Sequence, residues 1–456
     1  MLRSLSNRRC CQGLLHAVAG SLLLMVVLLA LRQPVVAEPN PEPPAKARPK
    51  VAAIITEFTY RSHAHVILEN FLESYYFNGK LTDPGVDVVS FYIDQNPSEG
   101  DMSGRVAREY GIAIYPTIAS ALCLGGEELA VDGVLSIAEF GQYPRNEKGQ
   151  IQYPRKRFFD EIAAVFEKSG RSVPVFTDKH LSYRWDWSKE MYDTAQRLNI
   201  PLLAGSSVPL AQRRPSLEIP MGAKIKEAVA IHGGPLEIYD FHMMETMQSL
   251  LEYRQGGESG IEKVEFLEGD AVWEAADAGR WSIELAEEAM KAELGAVPNM
   301  RRFVEPLNGR VLPSHATILT YRDGLQATVI RIGTNDFRWN FSCYMDGKKE
   351  PIATSYYVGP WRNRNLFKAL SRAIQTLIIT GKPPYPAERT LLVTGALAAM
   401  MDSRYESRVI ETPYLNFPYK AVNFDRVREM GESWKIITED MPEPPWIEPG
   451  GPRSEK

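Results

Sequence analysis

Apolar and polar positions along this chain follow two periods, and the change of period divides it. Val51-Ala52-Ala53-Ile54-Ile55 is an unbroken apolar run, the pattern of a strand buried on both faces. Over residues 65–75, Val66, Ile67, Phe71, Leu72 and Tyr75 fall at helical spacing. Residues 86–93 predict the next strand, which runs into Asp94. Helices are predicted over 102–110, 116–124, 158–169 and 187–198, with strands at 133–138, 173–176 and 200–205. Apolar strands alternating with helices predict a doubly wound parallel sheet, a Rossmann-like α/β domain over residues 51–207.

Beyond residue 208 the grain changes. A helix over 237–253 precedes alternating segments at 264–267, 316–321, 327–332 and 339–344, with Asp323-Gly324 as a hairpin turn. Two late helices, 365–380 and 387–404, follow. This pattern predicts an α+β domain over 208–438 with a mainly antiparallel, open-faced sheet; the open face suits binding or a homo-oligomer. The tail, 439–456, is rich in Pro, Glu and Gly and reads as disordered.

The N-terminus adds a targeting segment. Arg3, Arg8 and Arg9 precede an apolar run to Leu31, and Val35-Val36-Ala37-Glu38 offers a cleavage point after Ala37. Two readings stay open: a signal peptide over 1–37, of Sec or twin-arginine type, or a retained membrane anchor. Both put the folded part outside the cytoplasm, and residues 38–50 read as a linker. The formal net charge of −5 argues against a nucleic-acid partner held through phosphates. The clusters Arg155-Lys156-Arg157 and Arg213-Arg214 read as solvated faces. Cys123 and Cys343 read as two buried thiols, and no spacing resembles a metal site.

The candidate chemistry gathers at predicted strand ends, where open α/β sheets bind ligands. Asp178-Lys179-His180 closes the strand at 173–176, and His242 opens the helix after Gly233-Gly234. Lys179, desolvated in a cleft, can act on a substrate hydroxyl, and a histidine is the usual base near neutral pH. Asp178, Glu237 and Asp240 are the acids beside these groups, and His180 adds a third ionisable side chain. His63 and His65 each read as structural. The segment between Tyr143-Pro144-Arg145 and Tyr153-Pro154-Arg155 reads as a pocket lid or a surface hairpin. Trp185, Trp187, Trp339 and Trp361 read as core residues or sugar-stacking aromatics.

This order of motifs resembles the Gfo/Idh/MocA (glucose–fructose oxidoreductase/inositol dehydrogenase) family over roughly residues 51–418. Asp178-Lys179-His180 is similar to the family's Glu-Lys-Pro element, and Val131-Asp132-Gly133-Val134 to the strand entry before it. Gly233 to His242 resembles the segment leading to the catalytic histidine, and Gly381-Lys382-Pro383-Pro384 the turn before the last helix. The resemblance implies an oxidoreductase acting on a sugar, sugar acid or polyol with NAD or NADP. Lys179, His242 and His180 would be its catalytic groups, and Asp178, Glu237 and Asp240 its substrate contacts.

The first turn departs from the family. Thr56, Phe58 and Arg61 stand where glycines let a pyrophosphate approach the backbone, and Glu57 carries the wrong charge. Thr56, Phe58, Arg61 and Asp94 are therefore the cofactor-contacting positions, with altered chemistry. The alternatives are a carbohydrate-binding relative without dinucleotide, or a cofactor-independent lyase or hydrolase.

Overall fold

The computed structural model describes residues 47–306 and 311–447, so the leader and most of the linker lie outside the described residues. The described residues from Arg48 form one compact unit. No described helix is long and apolar enough to cross a membrane.

In chain order the first part comprises β1 (Lys50–Ile55), α1 (His63–Leu72), β2 (Tyr75–Phe77), β3 (Lys80–Thr82), β4 (Asp87–Ile93), α2 (Ser103–Tyr110) and β5 (Ala113–Ile114). It continues with α3 (Ile118–Leu122), β6 (Gly133–Ile137), α4 (Arg155–Ser169), β7 (Val175–Asp178), α5 (Trp185–Arg197) and β8 (Leu202–Gly205). Six of these strands make an all-parallel sheet in the order β5-β4-β1-β6-β7-β8. The chain leaves β1 toward β4 and returns to its other side at β6, so the crevice at the carboxyl ends of β1 and β6 is the switch point where such sheets bind ligands.

The second part comprises β9 (Gln212–Arg214), β10 (Ile225–His232), α6 (Ile238–Leu251), β11 (Ile261–Glu268), α7 (Asp270–Asp277), α8 (Ile283–Leu294), β12 (His315–Tyr321) and β13 (Gln326–Arg331). Then follow β14 (Trp339–Met345), β15 (Ile352–Tyr357), α9 (Asn363–Thr380), α10 (Ala387–Glu406) and β16 (Ile410–Glu411). The eight-stranded sheet, β16-β11-β12-β13-β10-β14-β15-β9, is antiparallel apart from the β10–β13 pair. β12 and β13 meet at the expected hairpin, with Gly324 at φ 88 and Tyr321 N–H on the Leu325 carbonyl.

Burial explains the layering. Strand residues of alternate parity feed opposite cores: Ala53 and Ile55 face α1 and α9, whereas Ala52 and Ile54 face α3 and α4. The late helix α9 thus packs on the first sheet, through Phe367, Leu370, Ile374 and Leu377. In the second sheet Ala228 and Ala230 face α6 and α10. Val229 and Ile231 face Trp281, Leu285 and Met290 around α7 and α8. The face read from sequence as open therefore carries two helices that the sequence reading did not assign. The tail reading is also corrected: up to Ile447 it packs on the body, because Ile447 finds a seat in the core around α1 and α9.

Candidate active site

Four strand ends deliver the site. After β1 the chain crosses a short turn and starts α1 at His63, with the Ser62 hydroxyl capping the helix. His63 Nδ1 lies 2.6 Å from Asp178 Oδ2 at the end of β7. Lys179 follows in left-handed backbone, φ 62, a conformation that costs a non-glycine residue energy and clusters at functional sites. Its amine lies 2.8 Å from Glu139 Oε1, two residues beyond β6. Arg155, at the start of α4, holds the other oxygen of Glu139. Burial pushes the Glu139 carboxyl up, but Lys179 and Arg155 outweigh it and hold it down at about 2.

The opposite wall comes from α6 and the second sheet. His242 Nδ1 is 2.6 Å from the Ser206 hydroxyl just after β8. Burial, then the nearby Lys179 ammonium, holds the imidazole well below its usual range, so it is neutral. One turn along α6, Glu245 accepts from Ser206 N–H at 2.9 Å and from the Thr390 hydroxyl at 2.6 Å. Burial raises its carboxyl to about 7. Tyr239 and Trp339 stack at 4.8 Å between ring centres. His63, Glu139, Lys179, His242, Tyr239 and Trp339 line one cavity of about 260 Å³. The amine of the parallel-sheet half and the imidazole of the other half thus meet across one crevice.

Several residues predicted for the site stand elsewhere. Asp178 is 1% exposed and turned to His63, not to the cavity. Asp240 is fully buried, where it caps α6 through Glu237 N–H and receives His232 and His315. Neither acid can touch a substrate. His180 is tied to the Ser182 carbonyl at 2.9 Å and to Arg155 at 3.3 Å, beside a narrow cleft it shares with Glu237. Burial raises Glu237 to about 7 against the pull of its Gln150 hydrogen bond. Arg155 is 1% exposed, so that basic cluster is not a solvated face throughout.

Glu139, His63, Ser206 and Glu245 went unrecognised as site residues in sequence. Glu139 and Ser206 directly follow predicted strands, and Glu245 lies three residues after His242 on one helix face. Those are the signals that could have found them. His63 stood after the first turn, at the end of the sheet that can face the cleft, but read as structural because its partner Asp178 is 115 residues away. Cys123 and Cys343 are free and buried, as expected. The segment with Tyr143 and Tyr153 is a hairpin bridged at Arg145 and Ile151, and Tyr153 also lines the cavity.

His232, Asp240 and His315 offer three ligand atoms within 4.8 Å of one another, a metal-capable set that sequence spacing did not reveal. Here both imidazoles converge on the same Asp240 oxygen, at 3.2 and 2.9 Å. Burial pushes the Asp240 carboxyl up, and the two histidines override it and hold it well below the carboxylate range. Arg331 also stands in the field of this carboxylate. Hydrogen bonding accounts for the set.

A dinucleotide on a doubly wound sheet lays its pyrophosphate at the first turn and its ribose on the acid ending the next strand. Here Thr56 donates to the Glu139 carbonyl at 2.7 Å, and Phe58 is fully buried edge-on to Phe91. Those two side chains cannot reach a cofactor. Arg61 is paired with Glu443 of the chain's own C-terminal segment. Asp94 receives Tyr92, Tyr143 and Arg157, all three at hydrogen-bond distance. In this arrangement the residues do not fit a dinucleotide.

No family model matches the chain, and no curated protein matches it. Solved structures do. GenD2 from gentamicin A biosynthesis, in complex with NAD, is 12% identical, with 82% of this chain and 99% of that chain covered and a TM-score of 0.51. Myo-inositol dehydrogenase from Lactobacillus casei, in complex with NAD(H) and myo-inositol, is 12% identical, with 80% and 97% covered and a TM-score of 0.51. With a parallel sheet, a mostly antiparallel sheet and these neighbours, the chain has the fold of the Gfo/Idh/MocA dehydrogenases.

Proposed function

We propose that this chain acts on a sugar or sugar acid by proton transfer in the His63–Lys179–His242 cavity, as a lyase-type enzyme that draws on no dinucleotide. The observation that carries this reading is the meeting of these three groups in one cavity while Arg61 and Asp94 are engaged within the chain. With Asp178 accepting from Nδ1, His63 keeps a lone pair on Nε2, the posture of a general base. Such a base removes a proton from the carbon beside a carboxyl or carbonyl group. The electron pair moves onto the oxygen, where the Lys179 ammonium stabilises the charge. Collapse of that enolate expels the neighbouring hydroxyl, and the proton returns from His63 to it, releasing water. Neutral His242, fixed by Ser206, orients the substrate hydroxyls, and the Tyr239–Trp339 stack offers aromatic surface to an apolar sugar face.

The dehydrogenase reading is favoured by the fold and by the NAD held in the two neighbours. Thermal-shift titration separates the two. Sugar acids should raise the melting temperature of the wild type, and Lys179→Ala and His242→Ala should abolish the gain while remaining folded. NAD(H) and NADP(H) should give none. Stabilisation by micromolar nucleotide, or an unsaturated product formed equally well by both variants, would overturn the proposal.

A further inference from the structure

The hairpin over residues 143–153 walls two cavities at once. Side chains of its second arm alternate, as in any extended chain. Ile151 and Tyr153 line the cleft beside His180 and Glu237, and Tyr153 continues into the reaction cavity. Gln150 and Gln152 instead line an outer cavity of about 610 Å³, more than twice the 260 Å³ of the reaction cavity. The two sides are joined through Gln150, which donates to Glu237 in the cleft at 2.8 Å. Arg155 also lines the cleft, and its buried Nε finds no hydrogen-bond partner among the described residues.

The outer cavity has the surface chemistry of a sugar site. Trp185, at the start of α5, lies against Gly395 of α10, where a Cβ would stand 2.9 Å from the ring. Phe417 stacks parallel to it with ring centres 6.2 Å apart, and the exposed Tyr414 packs at 5.2 Å. Aromatic surface is thus fixed before any ligand arrives, which lowers the entropic cost of binding. Around it stand the amides of Asn146 and Gln152 and two ion pairs, Lys148–Asp402 and Arg184–Asp186. Amides and self-paired charges beside aromatic rings suit a neutral, hydroxyl-rich ligand, whereas a charged one would have to displace an existing partner.

We propose that the outer cavity is a saccharide subsite and that the substrate is therefore an oligosaccharide. Its reacting unit enters the His63–Lys179–His242 cavity, and the neutral sugar units attached to it rest on Trp185 and Tyr414. A single sugar ring cannot fill both cavities, because the Ile151–Tyr153 segment and the cleft lie between them. The place of the reacting unit rests on the proton-transfer reading. The preference of the outer cavity for a longer chain does not, and it is read by binding alone.

Calorimetric titration of the full chain with β-1,4-linked glucan, mannan and galactan oligomers of one to four units, plain and capped with glucuronic acid, tests it. In at least one series the affinity should rise about tenfold or more from one unit to four. Tyr414→Ala and Gln152→Ala, with melting temperatures near that of wild type, should each flatten that rise. Affinity independent of length in every series, no binding at all, or a rise that survives both substitutions would overturn the subsite. Lys179→Ala tells the two readings apart, since it should weaken every length alike and keep the rise. If it changes no affinity while the rise persists, the reaction cavity fails and the subsite stands. If the rise is absent while Lys179→Ala still weakens the monosaccharide, the subsite alone fails.

Discussion

Glu245 shows how much of this site is set by single buried groups. Its carboxyl, raised by burial to about 7, keeps its proton in the folded chain at pH values where an unfolded glutamate, with an ordinary value of 4.5, has lost it. Between about pH 4.5 and 7 the folded state therefore binds more protons than the unfolded one. The associated stability is full below 4.5 and falls as pH rises to 7, by on the order of 3 kcal/mol. Glu245→Gln should remove that slope, so its melting temperature should gain on wild type as pH goes from 4.5 to 7. Parallel melting curves across that range would refute it. The same residue scale separates what could be read from sequence. Lys179 and His242 stood out as ionisable groups at strand and helix ends. Their orienting partners Glu139 and Ser206 lie 40 and 36 residues away, so only the folded chain joins them.

At the scale of elements, glycine 205 decides how closely β8 approaches α6. It closes β8 at φ 128, and a Cβ there would stand 2.3 Å from Glu245 Oε1 and 2.9 Å from the Thr390 hydroxyl oxygen. Gly205→Ala should cost on the order of 2 kcal/mol or more in urea unfolding, because both the backbone and the carboxylate must shift. A variant as stable as wild type would mean that β8 and α6 have slack. Most elements were legible because apolar runs and helical spacing are local. Boundaries moved where a cap or a proline intervened. α1 starts at His63 because Ser62 caps it, and α4 starts at Arg155, directly after Pro154, whose carbonyl accepts from Phe158 N–H. α7 and α8 escaped the sequence reading, and they cover the sheet face expected to receive a second copy.

For the whole molecule, the C-terminal segment behaves as part of the body. Truncation after Glu439 should lower the melting temperature by a few degrees, because Ile447 leaves the core around α1 and α9 and Trp446 leaves Arg105. An unchanged melt would show that these contacts add nothing. The sequence by itself determined the parallel half, the mainly antiparallel half, and the strand-end lysine and helix histidine. Those features rest on periodicity and on turn residues close together in the chain. Tertiary structure alone decided that Asp178 serves His63, that Asp240 is withdrawn beneath two histidines, and that Glu443 sits on Arg61, 382 residues away. Such pairings depend on which strand ends and loops the crossovers bring together, and no local pattern encodes them.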